Sequence, residues 1–386
     1  MKSGNRKVAI AGVGYSGIYR GSCPSPEQLT LESCMNAIED AGLLPSAVDG
    51  VFEYQYAGDS PYASYVRQAL GTSDLAAYGD IMGTGPSGLA SALAAHAAVS
   101  SGACETAIAY RSIQQHAATT GTSDNAPANI PGGAPFSSEF TEPYGLYALI
   151  ANIGMKMRRR EFEYGGSPED YGYIAINARK WAANNERALK RDLITMDDYF
   201  NSHLLSDPVR LLDCDLPVSG CSAAIFTTAE RARDLKHKPV LVDSCAYGVG
   251  SGDWVHDKDF LWGGTQFCAQ RLWEQASVGP ADVDIAQLYD GFTYMTLTWL
   301  EALGFCKPGE AGQWIEKGKT IGPGGKLPVN THGGHLAEGR LHGMSAVTEA
   351  VLQLRGNCDL RQVPGAEVAA IANSHGAQCG AMILTT

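Results

Sequence analysis

The chain has 386 residues, 45% of them hydrophobic and 18% charged, with a formal net charge of -12. That length allows two or three domain-sized units around a large core. The acidic balance excludes an extended nucleic-acid surface, which needs basic patches, and no run of about twenty apolar residues is present to span a membrane.

In chain order, Val8–Gly14 reads as a buried strand ending in a glycine turn. Met1–Lys7 is charged, and Val8–Gly14 is too short and too glycine-rich to be expected as a secretory segment. Ten cysteines occur without a CxxC pair, so neither a zinc site nor a dithiol site is indicated, and no metal is expected. A reduced, soluble, cytoplasmic chain is the expectation. A helix over about Thr30–Ala41 precedes a strand around Val48–Tyr54. Ile81–Ala103 is a glycine turn followed by a small-residue helix apolar on nearly every side, which belongs between layers. A strand at Thr106–Ala109 leads into Ser112–Pro143, a long aperiodic segment of the kind used for lids or dimer arms.

Helices about Tyr147–Arg160 and Pro168–Arg187 continue this insertion, which spans about 112–200. The basic run Arg158-Arg159-Arg160 reads as a solvated face or an anion grip. Cys221–Thr227 and Lys238–Ala246 read as strands, Thr265–Ala276 and Thr293–Leu303 as helices with the strand Val283–Tyr289 between them. Ser345–Arg355 is a further helix, and strands at Val368–Ala372 and Ala381–Thr385 flank the turn Asn373–Gly380.

Two of these stretches match without a gap. Ile38–Tyr54 and Trp273–Tyr289 share Glu39/Glu274, Pro45/Pro280, Val48/Val283, Asp49/Asp284 and Tyr54/Tyr289 at one constant spacing. A weaker echo pairs Ala107-Ile108-Ala109 with Ala370-Ile371-Ala372. The chain is therefore a duplication of two α/β halves, 1–235 and 236–386.

Chemistry concentrates in Leu327–Ser345, where His332, His335, His342 and Arg340 sit in a glycine-rich loop ahead of a helix. With the pieces placed, the chain resembles the thiolase superfamily over essentially its whole length. More narrowly it is similar to the lipid-transfer or sterol-carrier-protein-x branch, and within it to steroid side-chain-cleaving aldolases. The carriers are Tyr289–Thr293 (YDGFT), Leu327–Gly334 (LPVNTHGG), His342–Met344 (HGM), Val351–Gly356 (VLQLRG) and Pro143–Leu146 (PYGL). The resemblance implies a five-layer αβαβα fold and a homodimer.

It also implies what is missing. Where thiolases carry a nucleophilic cysteine in a C-x-S-G-L turn, this chain has Gly85-Pro86-Ser87-Gly88-Leu89. The position of the Gly-His-Pro histidine holds Arg340, and that of the second cysteine holds Ser374, in Ser374-His375-Gly376. Without a thiolate to carry an acyl group, ping-pong transfer is not expected, and the resemblance to the aldolases implies instead retro-aldol cleavage of a β-hydroxyacyl-CoA into a ketone and a shorter acyl-CoA. Such cleavage needs a base for the β-hydroxyl proton and donors for the enolate oxygen.

By resemblance Tyr289 is one acid/base group, and Arg340 occupies the place of the second. A guanidinium nearby would lower the tyrosine's pKa, or could bind the thioester oxygen, or could pair with Asp290 or Glu338. His332, His342 and His375 are expected at the same cleft, with Tyr247 as a further pocket residue. Gly85, Ser87, Gly333, Ser374 and Gly376 are expected to offer close backbone approach and N–H donors to the CoA thioester, which is substrate, not cofactor. The resemblance implies a small zinc-ribbon/OB-fold partner completing the CoA site in a heterotetramer. Two other readings stay open: an acyltransferase with an unexpected nucleophile, and a non-catalytic acyl-CoA or lipid-binding subunit.

Overall fold

The computed structural model describes residues 6–56, 58–72, 74–83, 89–114, 138–146, 148–252, 256–376 and 378–386. Its strands are β1 (Val8–Tyr15), β2 (Gly50–Gln55), β3 (Ala77–Met82), β4 (Thr106–Gln114), β5 (Leu204–Ser206), β6 (Val209–Arg210), β7 (Ser219–Thr228), β8 (Val240–Val249), β9 (Ile285–Leu288), β10 (Val368–Ser374) and β11 (Gln378–Thr385). β5 and β6 form a small hairpin, and the rest make one sheet in the order β3-β2-β4-β7-β1-β8-β11-β10-β9.

β1 and β8 meet near its centre through Ala9↔Leu241 and Ile10↔Val240. Outward from β1, the pairings run antiparallel to β7, antiparallel to β4, then parallel to β2 and β3. Outward from β8 they run antiparallel to β11, antiparallel to β10, then parallel to β9. A parallel bridge from Ala286 to Val329 stands where a fifth strand would lie. The same strand order thus occurs twice.

The duplicated aspartates explain part of this order. Asp49 accepts hydrogen bonds from the backbone of Glu105 and Thr106, at the start of β4 (3.0 and 2.8 Å). Asp284 accepts from Glu367 and Val368, at the start of β10 (2.8 and 2.9 Å). Each carboxylate ties its own strand to the neighbouring parallel strand, which has no hairpin to hold it in register.

Alternation along the strands sorts the apolar residues into layers. Ile10, Ala107, Ala369 and Ile371 face a central core shared with the helices Ala90–Ser101 and Met344–Arg355. Ile108, Ile225 and their neighbours face the helices Pro26–Asp40 and Ala63–Leu70. Ala370, Ala372 and Ile383 face the helices Thr265–Gln275 and Thr293–Ala302. These are the five expected layers. The helix Met344–Arg355 leaves only Leu352 and Arg355 outside the buried class, as its central place requires.

Several boundaries differ from the sequence expectation. β4 continues to Gln114, because it pairs with β7 along its whole length to Ser219. The insertion helices are Leu149–Tyr164 and Pro168–Ala182. The basic run does not form one solvated face: Arg158 and Arg159 lie outside, but Arg160 turns inward to an ion pair with Glu301.

Removing either strand-tying carboxylate has a defined cost. Asp49→Ala and Asp284→Ala should each lower the urea-unfolding free energy by about 1–3 kcal/mol, through lost charge-assisted hydrogen bonds. A neutral result for both would show that register is set elsewhere.

Candidate active site

The reactive side chains gather at the C-terminal ends of the parallel strands β2, β4 and β9, where open α/β sheets place ligands. Tyr289 follows β9 directly, its N–H donating to Ala372 O (2.8 Å). Its ring is buried and folds over Gly291, where a Cβ would come within 2.6 Å of the ring. The ring meets His335 edge-on, at 4.9 Å between centroids.

The next residue, Asp290, binds the loop that carries His335. One carboxylate oxygen accepts from both the backbone N–H and the Nδ1 of His335, each at 2.8 Å. His335 Nε2 in turn accepts from the Gly343 N–H (3.3 Å). The ring is therefore the Nδ1–H tautomer, fixed on both sides. A Cβ on Gly334 would lie 1.9 Å from Asp290 Oδ2, so only glycine permits this approach.

Arg340 pairs with Asp215, its Nη1 lying 2.9 and 3.1 Å from the two carboxylate oxygens. Asp215 reaches this place because Cys214–Leu216 is stitched between two elements of the site. Asp215 N–H donates to Gly291 O, Leu216 N–H to His335 O, and Arg340 N–H to Leu216 O (3.1, 3.0 and 3.0 Å). Arg340 does pull the Tyr289 pKa down, as expected, but the net shift is upward. Burial, and then the negative charge of Asp215, push the phenol well above 10, and Arg340 offsets only part of that rise. Tyr289 is protonated at neutral pH. Burial also raises the Asp215 carboxyl, against the pull of Arg340 and His335.

His342 joins the cluster from the turn before Met344–Arg355, with φ of 47°. Its Nδ1 lies 3.0 Å from Arg111 Nη2, and the ring is tilted against Tyr54 at 6.4 Å. Burial, with Arg111, Arg340 and His335 around it, holds the imidazole well below its usual pKa. Tyr289, Asp290, Arg340 and His342 are thus brought together, with His335, Asp215, Tyr54 and Arg111 added to them.

Other expected residues take different places. His332 lies one layer behind, with Nε2 3.8 Å from Glu338 Oε2 in a buried network that also holds Glu349 and Arg361. His375 meets the Tyr294 ring edge-on at 5.2 Å, in the field of Lys156 and Arg160. The Gly333 N–H is spent on Asn330 O (2.8 Å), and the residue is glycine because a Cβ would lie 2.7 Å from Ala182. Ser374, with φ of 66°, offers its carbonyl to Trp299 Nε1 (2.7 Å). The Gly376 carbonyl accepts from Gly264 (2.8 Å). Tyr247 sits on the same face of β8 as Cys245, which meets His96 of the central helix Ala90–Ser101 (3.4 Å). Gly85 and Ser87 lie outside the described residues.

Cys214 is the cysteine stitched beside the cluster, and burial with Asp215 and Asp213 pushes its thiol up. Cys379 is buried on the other side, its Sγ toward Gly248 O (3.5 Å). A cavity of about 960 Å³ opens elsewhere, between Trp181, Phe305, Trp314 and Lys326. None of the clustered groups lines it, so volume alone does not mark the chemistry.

Two of the added residues had a signal in the sequence. The duplication aligned Tyr54 with Tyr289, and His335 lay in the histidine-rich loop. Asp215 and Arg111 had none, since only tertiary pairing brings them in.

The network behind the site makes stability depend on acid. Burial opposes ionisation of Glu349, yet Arg361 and His332 outweigh it and hold the carboxyl down to about 2. Arg361 is the permanent part of that pull, because burial keeps His332 neutral at neutral pH. A depressed carboxyl contributes stability above its ordinary pKa near 4.5 and loses it as pH falls toward about 2. Glu349→Gln should be less stable at pH 7 and should flatten unfolding free energy against pH between those values. An unchanged slope would contradict this.

Residues 248–385 match the family described as thiolase C-terminal domain-like. The chain is 34% identical to the 17-hydroxy-3-oxo-4-pregnene-20-carboxyl-CoA lyase of Mycobacterium tuberculosis, over 98% of this chain and 99% of that protein. It is also 34% identical to the steroid side-chain-cleaving aldolase of Thermomonospora curvata, over 90% of each. The solved Ltp2-ChsH2(DUF35) aldolase superposes with a TM-score of 0.90, 32% identity and 98% of each chain covered. Human mitochondrial 3-ketoacyl-CoA thiolase superposes with a TM-score of 0.71 over 99% of each chain at 14% identity, a likeness of fold alone. The chain belongs to the thiolase superfamily, in the group that contains the steroid side-chain-cleaving aldolases.

Proposed function

We propose that this chain is a carbon–carbon lyase that cleaves a β-hydroxyacyl-CoA of the steroid side-chain type by a retro-aldol reaction, releasing a ketone and a shorter acyl-CoA. The observation that carries this reading is the cluster around Tyr289, which offers proton donors and a buried carboxylate but no thiolate. The named activities of the two relatives, matched over at least nine-tenths of their length, support it.

In the reaction the β-hydroxyl proton leaves to a base, the bond between the α- and β-carbons breaks, and its electron pair becomes a thioester enolate. The enolate then takes a proton at the α-carbon. Asp215 is assigned as the proton acceptor, since burial has raised its affinity for a proton. Tyr289, held protonated, is the donor that returns a proton to the enolate. Arg340 and the N–H of His342 face the developing negative charge, where preorganised donors have their largest effect. Asp290 positions His335, and through Gly343 it positions the loop bearing His342.

The assembly is part of the proposal. The neighbour named Ltp2-ChsH2(DUF35) carries a second component in its name, which supports a small zinc-ribbon/OB-fold partner that completes the CoA site. The edge strand β3 leaves Tyr78 and Met82 exposed (66% and 73%), which supports a homodimer through that edge and a heterotetramer overall. The compartment is cytoplasmic in this reading, and no helix among the described residues is long and apolar enough to cross a membrane.

Tyr289→Phe should lower kcat for release of ketone and short acyl-CoA by roughly 10²–10⁴-fold, with the circular-dichroism spectrum unchanged. Asp215→Asn should do the same, and neither protein should show an acyl adduct by intact mass after incubation with acyl-CoA. Full cleavage by Tyr289→Phe, or a stable adduct on the wild type, would overturn the reading.

A further inference from the structure

Arg111 stands in the second half of β4 with its side chain wholly buried. Its Nη1 and Nη2 donate to the two oxygens of Asp59 (2.7 and 2.6 Å), and Nη1 also donates to the Tyr54 carbonyl (3.1 Å). The guanidinium carbon lies 4.8 Å from the centroid of the Tyr54 ring. Four contacts therefore fix a planar group that has few rotamers left. Its remaining partner is His342, with Nη2 3.0 Å from Nδ1.

A guanidinium has N–H donors and no acceptor, and it stays charged in proteins. In this contact His342 Nδ1 must therefore be the acceptor, and the ring carries its one proton on Nε2. The direction of the bond settles the tautomer without any assignment of hydrogens. The Nε2–H points from the ring edge away from Arg111. Among the described residues it meets no hydrogen-bond partner, although His342 is only 3% exposed. The groups around the ring are Arg111 from β4, Tyr54 from β2, His335 from Gly334–Ala337 and Arg340 from the same loop. The carboxylates behind these groups, Asp59, Asp290 and Asp215, are held by Arg111, His335 and Arg340, and among the described residues none hydrogen-bonds to His342.

We infer that Arg111, anchored by Asp59, is a positioning residue that keeps His342 as an uncharged Nε2–H donor aimed at the thioester oxygen of the substrate. This rests on the lyase reading for its ligand, but the tautomer itself does not. The arrangement solves a definite problem. A free imidazole would divide between two tautomers and would gain a proton near pH 6.5. A charged ring would bind the ground-state thioester and any other anion more tightly, whereas a neutral donor acts as the enolate charge develops.

The test combines a spectrum with a pH profile. In 15N-histidine-labelled wild-type protein, the His342 resonance, assigned by its loss in His342→Gln, should show an Nε2–H neutral ring from pH 8 down to 5.5. Arg111→Met keeps the length of the side chain and removes the donors and charge. It should lower kcat by roughly 10²-fold with a smaller change in KM. It should also move the acidic limb of the profile to higher pH than in the wild type, while burial and Arg340 still hold the ring below its ordinary value. Arg111→Lys keeps a charged donor and should recover most of the activity and the wild-type profile, which also covers the case in which Arg111→Met does not fold. Arg111→Met should cost little more in a His342→Gln background, because the two act as one unit.

A His342 ring that is Nδ1–H, or that charges near pH 6.5 in the wild type, overturns the inference, as does additivity of the two substitutions. The Nε2–H tautomer in a protein that cleaves no β-hydroxyacyl-CoA would leave the positioning contact standing and overturn the lyase reading alone.

Discussion

The contact on which the site depends is Asp290 with His335. A carboxylate at the end of β9 accepts from the ring and the backbone of a loop residue far along the chain. That contact seats Gly334 against Asp290, brings His335 edge-on to Tyr289, and passes through His335 Nε2 to the Gly343 N–H. Gly343 begins the central helix Met344–Arg355, so the same bond fixes where His342 stands. Buried polar networks of this kind specify one arrangement because any half-satisfied alternative is costly.

A second constraint is charge. The cluster holds two carboxylates, two guanidiniums, two histidines and two tyrosines at low exposure. With Arg340 committed to Asp215, and Arg111 committed to Asp59 and His342, the cations are local partners and do not ionise the tyrosine. The thiolase frame is retained, but the site trades a nucleophilic thiolate for a neutral phenol and a carboxylate with raised proton affinity. That exchange suits proton transfers on either side of a carbon–carbon cleavage and requires no covalent intermediate.

Much of the fold was legible because it is written twice. The matched aspartates, Asp49 and Asp284, do the same work at the starts of β4 and β10, and the matched tyrosines, Tyr54 and Tyr289, end equivalent strands in one site. Period-2 burial and the small-residue helix gave the layers. The site was legible only where motif and loop carried it: Tyr289, Asp290, Arg340 and His342. His375 turned to Tyr294, and His332 to Glu338 and Glu349, because a residue's position in a loop does not state which way its ring faces. Arg340 was read as lowering Tyr289, as a ligand of the thioester oxygen, or as a partner of Asp290 or Glu338. Its true partner, Asp215, comes from a segment whose approach is set by backbone bonds to Gly291 and His335, and local sequence does not encode that approach.

The central claim is that Tyr289 works from its protonated form. The most direct measurement is a 13C-tyrosine NMR titration of the folded protein, with Tyr289 assigned among the 17 tyrosines by its loss in Tyr289→Phe. A Tyr289 Cζ shift that stays at the neutral-phenol position up to pH 10 is the predicted result. A tyrosinate shift growing in between pH 7 and 8 would contradict the account and return the role of base to Tyr289.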